Sequence, residues 1–162
     1  LCGDLVMSAA AASSPPRLDR KDRQILRALQ EDARQSLSAL GKVIGLSQPA
    51  ISERVRKLEA SGVIAGYGAK LNLGALGLPI EAIVRVRTSH EHIRSYVTLF
   101  QSMPEVMQVF RVTGDDCFIV HCAIGQPQEL EGIVDRLAAN GSVTTSLVLS
   151  RTVDRAPPVA TT

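Results

Sequence analysis

Apolar residues recur at helical spacing through the first half of the chain and at alternate positions through much of the second, and the change falls near residue 80. In LDRKDRQILRALQEDAR, residues 18–34, Leu18, Ile25, Leu26 and Leu29 form one stripe with charges opposite, which predicts a helix beginning at Leu18. LSALGKVIGLSQPAISERVRKLEAS, residues 37–61, places Leu37, Leu40 and Ile44 on a helical face, breaks at Gly45, and resumes with Ile51, Val55 and Leu58. This predicts two short helices joined by a tight glycine turn, a helix-turn-helix. Ser47 is a good N-cap, Pro49 falls in the first turn where a missing N–H costs nothing, and Gly62 is placed to cap the end. The following VIAGYGAKLN, residues 63–72, reads as a short extended ribbon, a small wing.

The next seven residues, LGALGLP at 73–79, carry two glycines and a proline and read as a hinge. Beyond them the order is strand, helix, strand, strand, helix, strand. The first strand is IEAIVRVRT, and a helix over 89–103 follows with Ile93, Val97 and Phe100 inward. VMQVFRVTG and CFIVHCAI are joined by the turn at 114–116. A second helix opens at Pro127, buries Leu130, Ile133, Val134 and Leu137, and closes at Gly141. VTTSLVLSRTV is the last strand. The order predicts an α+β chain with a ferredoxin-like βαββαβ sandwich after the winged helix-turn-helix. The expected domains are a disordered leader at 1–16, a DNA-binding domain at 17–72, the hinge at 73–79, an effector and oligomerisation domain at 80–154, and a tail at 155–162. Phe118, Val120, Cys122 and Ile124 share one sheet face, yet the other still offers Ile119 and Ala123, with Ile83, Val109 and Val148 from neighbouring strands. Two helices cover only one face, so the second is expected to pack on another subunit.

Charge separates the same two halves. Residues 17–70 carry 11 Lys or Arg against 6 Asp or Glu, a net of +5, whereas residues 73–162 carry 7 against 9, a net of −2. A basic helical half fits contact with phosphates. With Ile51, Val55 and Leu58 inward, the second helix of the motif turns Pro49, Ser52, Glu53 and Arg56 outward, with Gln48, Arg54 and Lys57 on the flanks. Such a helix enters the major groove of double-stranded DNA, its early residues meeting base edges and flanking cations meeting phosphate. Lys70 and Tyr67 could reach the DNA backbone from the wing.

Other chemistries find little support. The three cysteines form no CxxC pair, so neither a disulfide framework nor a zinc site is indicated, and a reducing cytoplasm fits. His90 and His92 are two apart, and the local sequence, with Glu91 alone between them and no cysteine nearby, does not supply the partners a metal site would need. His121 sits in an apolar run as a packed sheet residue, and no acid/base pair or nucleophile with a third partner is evident, so no catalytic residue, and no enzyme, is expected. No stretch approaches the roughly 20 apolar residues of a membrane span. Residues 1–16 are small and unpatterned and lack the basic start of a signal peptide.

At the turn after the second strand, Gly114 offers free N–H groups to an α-carboxylate, while Asp115 or Asp116 can accept from an α-ammonium. The same residues would also serve a plain polar turn. Taken together, LDRKDRQILRALQEDAR, GLSQPAISERVRKLEASGVIAGYGAKLN and RVTGDDCF resemble, in order and spacing, the Lrp/AsnC family of feast/famine transcription regulators, over residues 18–154. The resemblance implies a winged helix-turn-helix joined to an effector-sensing domain that dimerises, with dimers often assembling into octamers and with amino acids as common effectors. It implies an effector site between dimers around the turn Thr113, Gly114, Asp115 and Asp116. From the residues themselves, Thr144, Thr145 and Ser146 near the start of the last strand could add hydroxyl contacts from a neighbouring subunit. Cys117 stands where the family pattern carries an acidic residue after an aromatic one, so no particular amino-acid specificity carries over. No cofactor is expected besides the amino-acid effector. The expected function is operator binding modulated by a small amino acid; the alternative is an amino-acid sensor, or an oligomeric architectural DNA-binding protein without effector response.

Overall fold

Helix α1, Arg20–Glu31, begins two residues later than the Leu18 stripe suggested, because Asp19 caps it. The Asp19 carboxylate accepts from the Asp22 N–H at 2.8 Å and the Asp22 carboxylate accepts from the Asp19 N–H at 3.0 Å, a reciprocal capping box. In the computed structural model, which describes residues 16–159, α2 follows at Leu37–Ile44 and α3 at Gln48–Ala60. Gly45 turns the chain between them with φ 72°, a left-handed conformation that glycine adopts without strain. Gly41 is required for a different reason: a Cβ there would stand 2.6 Å from the Leu46 carbonyl oxygen. Ile25, Leu26, Leu40, Ile44, Ile51, Val55 and Leu58 form the buried centre of this helical unit, the stripes expected from the sequence.

Ser47 occupies the N-cap of α3, but its hydroxyl makes no capping bond. Pro49 stands among the first residues of the helix and removes one of the N–H donors that such a hydroxyl would bind. After α3, residues 63–72 form no strand among the described residues, so the wing is an irregular ribbon carrying two glycines and no pairing partner of its own. Residues 155–159, expected as a tail, return to the helical unit. The Arg27 guanidinium donates to the Val159 carbonyl at 3.1 Å, Gln30 donates to the Pro157 carbonyl at 2.9 Å, and Val159 packs against the helical core. The chain thus divides into a helical unit of residues 16–69 with 155–159 and a sheet unit of residues 70–154. Residues 1–15 of the expected leader and the last three of the tail lie outside the described residues.

In the sheet unit, residues expected as a hinge form a single 3-10 turn at Gly74–Leu76, held by the Asn72 carboxamide oxygen accepting from Ala75 N–H at 3.2 Å. The elements that follow are β1 (Ile80–Thr88), α4 (Ile93–Gln101, entered through a 3-10 turn at His90–His92), β2 (Val106–Arg111), β3 (Phe118–Ile124), α5 (Pro127–Ala138) and β4 (Gly141–Leu147). All pairings are antiparallel in the order β2-β3-β1-β4, the arrangement a βαββαβ sandwich requires. Ala82, Val84, Val86, Phe118, Val120 and Cys122 pack beneath Tyr96, Phe100, Ile133 and Leu137 of the two helices. Tyr96, Phe100 and Phe118 form an aromatic cluster with ring centroids 5.1–5.9 Å apart.

Several sequence expectations shift by a residue or a face. Tyr96 is buried in α4, where its hydroxyl donates to the Leu137 carbonyl, whereas Val97 is 44% exposed. Gly141 opens β4 instead of closing α5: a Cβ there would lie 2.3 Å from the Arg87 carbonyl oxygen. The regular part of β4 ends at Leu147, with one further bond from Val148 N–H to the Glu81 carbonyl at 2.9 Å. Val109 pairs with Val120 and joins the core, because a bulge between Val106 and Gln108 resets the alternation of β2. Phe110, opposite Ile119, takes its place on the open face and is 53% exposed.

Candidate functional site

The capping box that begins α1 also fixes α3. Arg54 reaches from α3 to Asp19 at 2.6 Å and to Asp22 at 2.7 Å, so one guanidinium ties the two helices through the residues that form the cap. Hydrogen bonding to Arg54 and, above all, to the Asp22 N–H holds the Asp19 carboxyl below its usual range, and the bonds to Asp19 and Asp22 raise Arg54 in turn. Of the expected DNA-contacting residues, Arg54 is the one that is half-buried and ion-paired to α1.

Gln48, Pro49, Ser52, Glu53, Arg56 and Lys57 are all exposed along α3, as expected from Ile51, Val55 and Leu58 facing inward. The Glu53 carboxylate accepts from Arg56 Nε at 3.0 Å and Nη2 at 2.8 Å, and lies 3.5 Å from Lys57 Nζ. The Arg56 hydrogen bonds lower the Glu53 carboxyl and raise the Arg56 guanidinium. The exposed side of α3 thus presents two cations and one carboxylate as a single cluster, next to the Ser52 hydroxyl and the Gln48 carboxamide, groups able to address phosphates and base edges. Tyr67 donates its hydroxyl to Glu59 at 2.9 Å in the same unit. Lys70 belongs to the sheet unit, where its ammonium is 2.6 Å from Asp154.

In the sheet unit the β2–β3 turn has Gly114 at φ 106°, a conformation that disfavours side-chain-bearing residues. Its acidic residues face two cations that sequence reading passed over. Arg87 Nη2 lies 3.4 Å from the Asp115 carboxylate while its Nε donates to the Asp115 carbonyl at 2.9 Å, and Arg85 Nη1 lies 3.9 Å from the Asp116 carboxylate. The signal was in IEAIVRVRT: Arg85 and Arg87 alternate with the buried Val84 and Val86 and so had to project from the open face. Cys117, after the acidic pair, donates its thiol to the Thr88 carbonyl at 3.2 Å.

The expected hydroxyl residues of β4 are divided by the pleat. Thr144 pairs with Arg85 and Ser146 with Ile83, both on the open face, whereas Thr145 pairs with Val84 on the helix-covered side. Thr113, Gly114, Asp115, Asp116, Arg85, Arg87 and Thr144 therefore make one end of the open face polar. Its other end is a shallow groove lined by Ile83, Met107, Gln108, His121, Val148 and Arg151. There His121 Nε2 is 2.8 Å from Glu81 Oε2, which also takes a bond from Arg151; Arg151 first and His121 second hold the Glu81 carboxyl below its ordinary range. No cluster of three metal-ligating side chains occurs among the described residues, and no helix among them is long and apolar enough to cross a membrane.

Comparison with known proteins agrees with both halves of this description. Residues 18–59 match the AsnC-type helix-turn-helix domain and residues 81–158 the Lrp/AsnC ligand binding domain. The chain is 37% identical over 134 residues to the HTH-type transcriptional regulator YezC of Bacillus subtilis, covering 82% of this chain and 94% of that protein. The structure of LrpC of B. subtilis superposes with a TM-score of 0.81 at 27% identity, covering 86% of this chain and 99% of that one. A feast or famine regulatory protein from M. tuberculosis, complexed with L-methionine, superposes with a TM-score of 0.81 at 27% identity, over 89% of this chain and all of that one. With a helix-turn-helix whose second helix, α3, turns its polar side outward, a sandwich with a four-stranded sheet after it in the chain, and both domain families matched in that order, the chain belongs to the Lrp/AsnC family of DNA-binding transcriptional regulators.

Proposed function

We propose that this regulator binds operator DNA through the exposed side of α3 and that a small amino acid, bound at the β2–β3 turn, changes its operator affinity. The carrying observation is the pairing of opposite charges at that turn. Asp115 and Asp116 face Arg87 and Arg85 within 3.4–3.9 Å, so an α-ammonium and an α-carboxylate each find a partner of the opposite sign at the place where the other is held. Beside Arg85, Ile119 and the exposed Phe110 supply an apolar surface for a side chain, which favours an apolar amino acid. The related M. tuberculosis protein in complex with L-methionine supports ligands of this class.

An amino acid at the turn acts on DNA only by favouring one arrangement of subunits or domains over another. The open sheet face, with Phe110 53% exposed and Met107 38% exposed, supports assembly as a homodimer; further association to an octamer is inferred from the family resemblance alone. Gel-shift titration against the gene's own upstream region, with and without a panel of amino acids, tests the proposal. A change in operator affinity with an apolar amino acid is expected. Unchanged affinity with every amino acid at millimolar concentration overturns effector control, and failure of an Arg56→Ala, Lys57→Ala variant to weaken binding overturns the assignment of α3.

A further inference from the structure

Helix α3 carries three cations, and each is matched to a carboxylate of the same unit. Arg54 is held by Asp19 and Asp22, and both exposed cations, Arg56 and Lys57, are held by Glu53. The Glu53 contact to Arg56 is bidentate, through Nε and Nη2 at 3.0 and 2.8 Å. This is the same fork with which an arginine addresses O6 and N7 of guanine or two oxygens of a phosphate. Glu53 and a nucleic acid therefore compete for one set of donors.

We infer that Glu53 is a specificity-determining residue of the DNA interface: it withholds the Arg56 fork and the Lys57 ammonium from DNA of arbitrary sequence and releases them where the bases replace both partners. The inference rests on the reading of α3 as the DNA-facing helix. Binding to arbitrary sequence is supplied by cations meeting phosphates, and an internal carboxylate subtracts from that contribution directly. Displaced from Arg56, the Glu53 carboxylate stands exposed in a groove lined by phosphates, where it is repelled unless it finds a donor. A G·C pair offers both replacements, guanine O6 and N7 for the Arg56 fork and the cytosine N4 amine for the carboxylate. An A·T pair presents no such combination of two acceptors on one base and an amine on the other.

The test compares the parent, Glu53→Gln, the double variant Arg56→Ala, Lys57→Ala, and the triple variant carrying all three changes. Each is titrated against a duplex selected by the parent from a random-sequence pool and against an unrelated duplex, over a series of salt concentrations. Glu53→Gln is expected to bind the unrelated duplex about two- to fivefold more tightly, in keeping with the loss of an exposed ion pair. Its salt slope on that duplex should steepen by about one unit as one more counterion is released. The selected duplex should gain less, so the ratio of the two affinities falls, and reselection with Glu53→Gln should relax the preference for a G·C pair at one position. In the background lacking both cations, Glu53→Gln should lower the ratio by less than it does in the parent, because no fork or ammonium is left to release. Glu53 is exposed, and matching thermal melts for Glu53→Gln and Glu53→Ala confirm that the fold is retained. An unchanged or increased ratio in Glu53→Gln overturns the inference while leaving α3 as the DNA-facing helix. A parent that selects no duplex, or an Arg56→Ala, Lys57→Ala variant that binds as the parent does, overturns the underlying reading instead.

Discussion

Asp22 and Arg54 meet at 2.7 Å across two helices, and because the same Asp22 carboxylate also closes the cap of α1, helix initiation and helix packing depend on one side chain. Arg54→Ala should remove the brace and loosen the cap, destabilising the helical unit by about 1 kcal/mol. Denaturant unfolding should show a lower midpoint for Arg54→Ala than for Arg56→Ala, whose side chain points outward. Equal midpoints for the two variants would show that Arg54 is not a structural tie.

The acid limb of stability should carry the signature of Glu81. Its carboxyl is held below its ordinary value by Arg151 and then His121, so the unfolded chain binds this proton more readily than the folded one. The contribution is fully present above the ordinary glutamate range near 4.5 and is lost as pH falls through the lower folded value. Glu81→Gln should reduce stability at neutral pH and flatten its decline on acidification; unfolding curves between pH 7 and pH 3 check this, and parallel declines for variant and parent would count against it.

Effector response should be separable from DNA binding. Asp116→Ala, Asp115→Ala and Arg85→Ala lie in the sheet unit, so each should keep operator affinity while losing the amino-acid response. A coupling of about 1–3 kcal/mol in the parent corresponds to a shift of roughly 5- to 150-fold in operator affinity, and linkage requires the same factor in amino-acid affinity when operator is present. Calorimetry on the parent and the three variants measures it. Variants that respond as the parent does would move the site away from this turn.

Assembly can be probed at the open face, where Ile119 stands between Phe110 on β2 and Arg85 on β1. Ile119→Asp should bury an uncompensated charge at a subunit contact, at a cost on the order of several kcal/mol, and yield a smaller species by light scattering. Parental mass and melting temperature in this variant would show that the face is not an interface.

Much of this architecture is legible in the sequence, because burial on one side imposes a period. The stripes of the first three helices and the alternation of Val84 and Val86 in β1 needed only that rule. Where the rule failed, a local event had reset it. The bulge at Val106/Gln108 moved Val109 to the covered side, and no composition signal marks a bulge inside an apolar strand. Tyr96 takes the inward position expected of Val97, its hydroxyl finding the Leu137 carbonyl, a partner that helix periodicity cannot foresee. Thr144, Thr145 and Ser146 read as one hydroxyl cluster in sequence, yet a strand must send its middle member to the opposite side. Arg85 and Arg87 are legible from the alternation of β1, but the turn already offers Gly114 N–H groups as donors to an α-carboxylate, so the sequence did not point beyond it to the two guanidinium groups.

The return of residues 155–159 to α1 makes the sheet unit topologically an insertion within the chain of the helical unit. An insertion is tolerated when its two ends lie together, and here Lys70 and Asp154, its first and last residues, form an ion pair at 2.6 Å. Melting the sheet would turn a compact excursion with adjoining ends into a long flexible loop, whose closure entropy opposes docking of Pro157 and Val159 on the first helix. Anything that stabilises the sheet unit thereby favours the docking of residues 155–159 on α1 by lowering the entropic cost of closing the loop, without acting through any side chain.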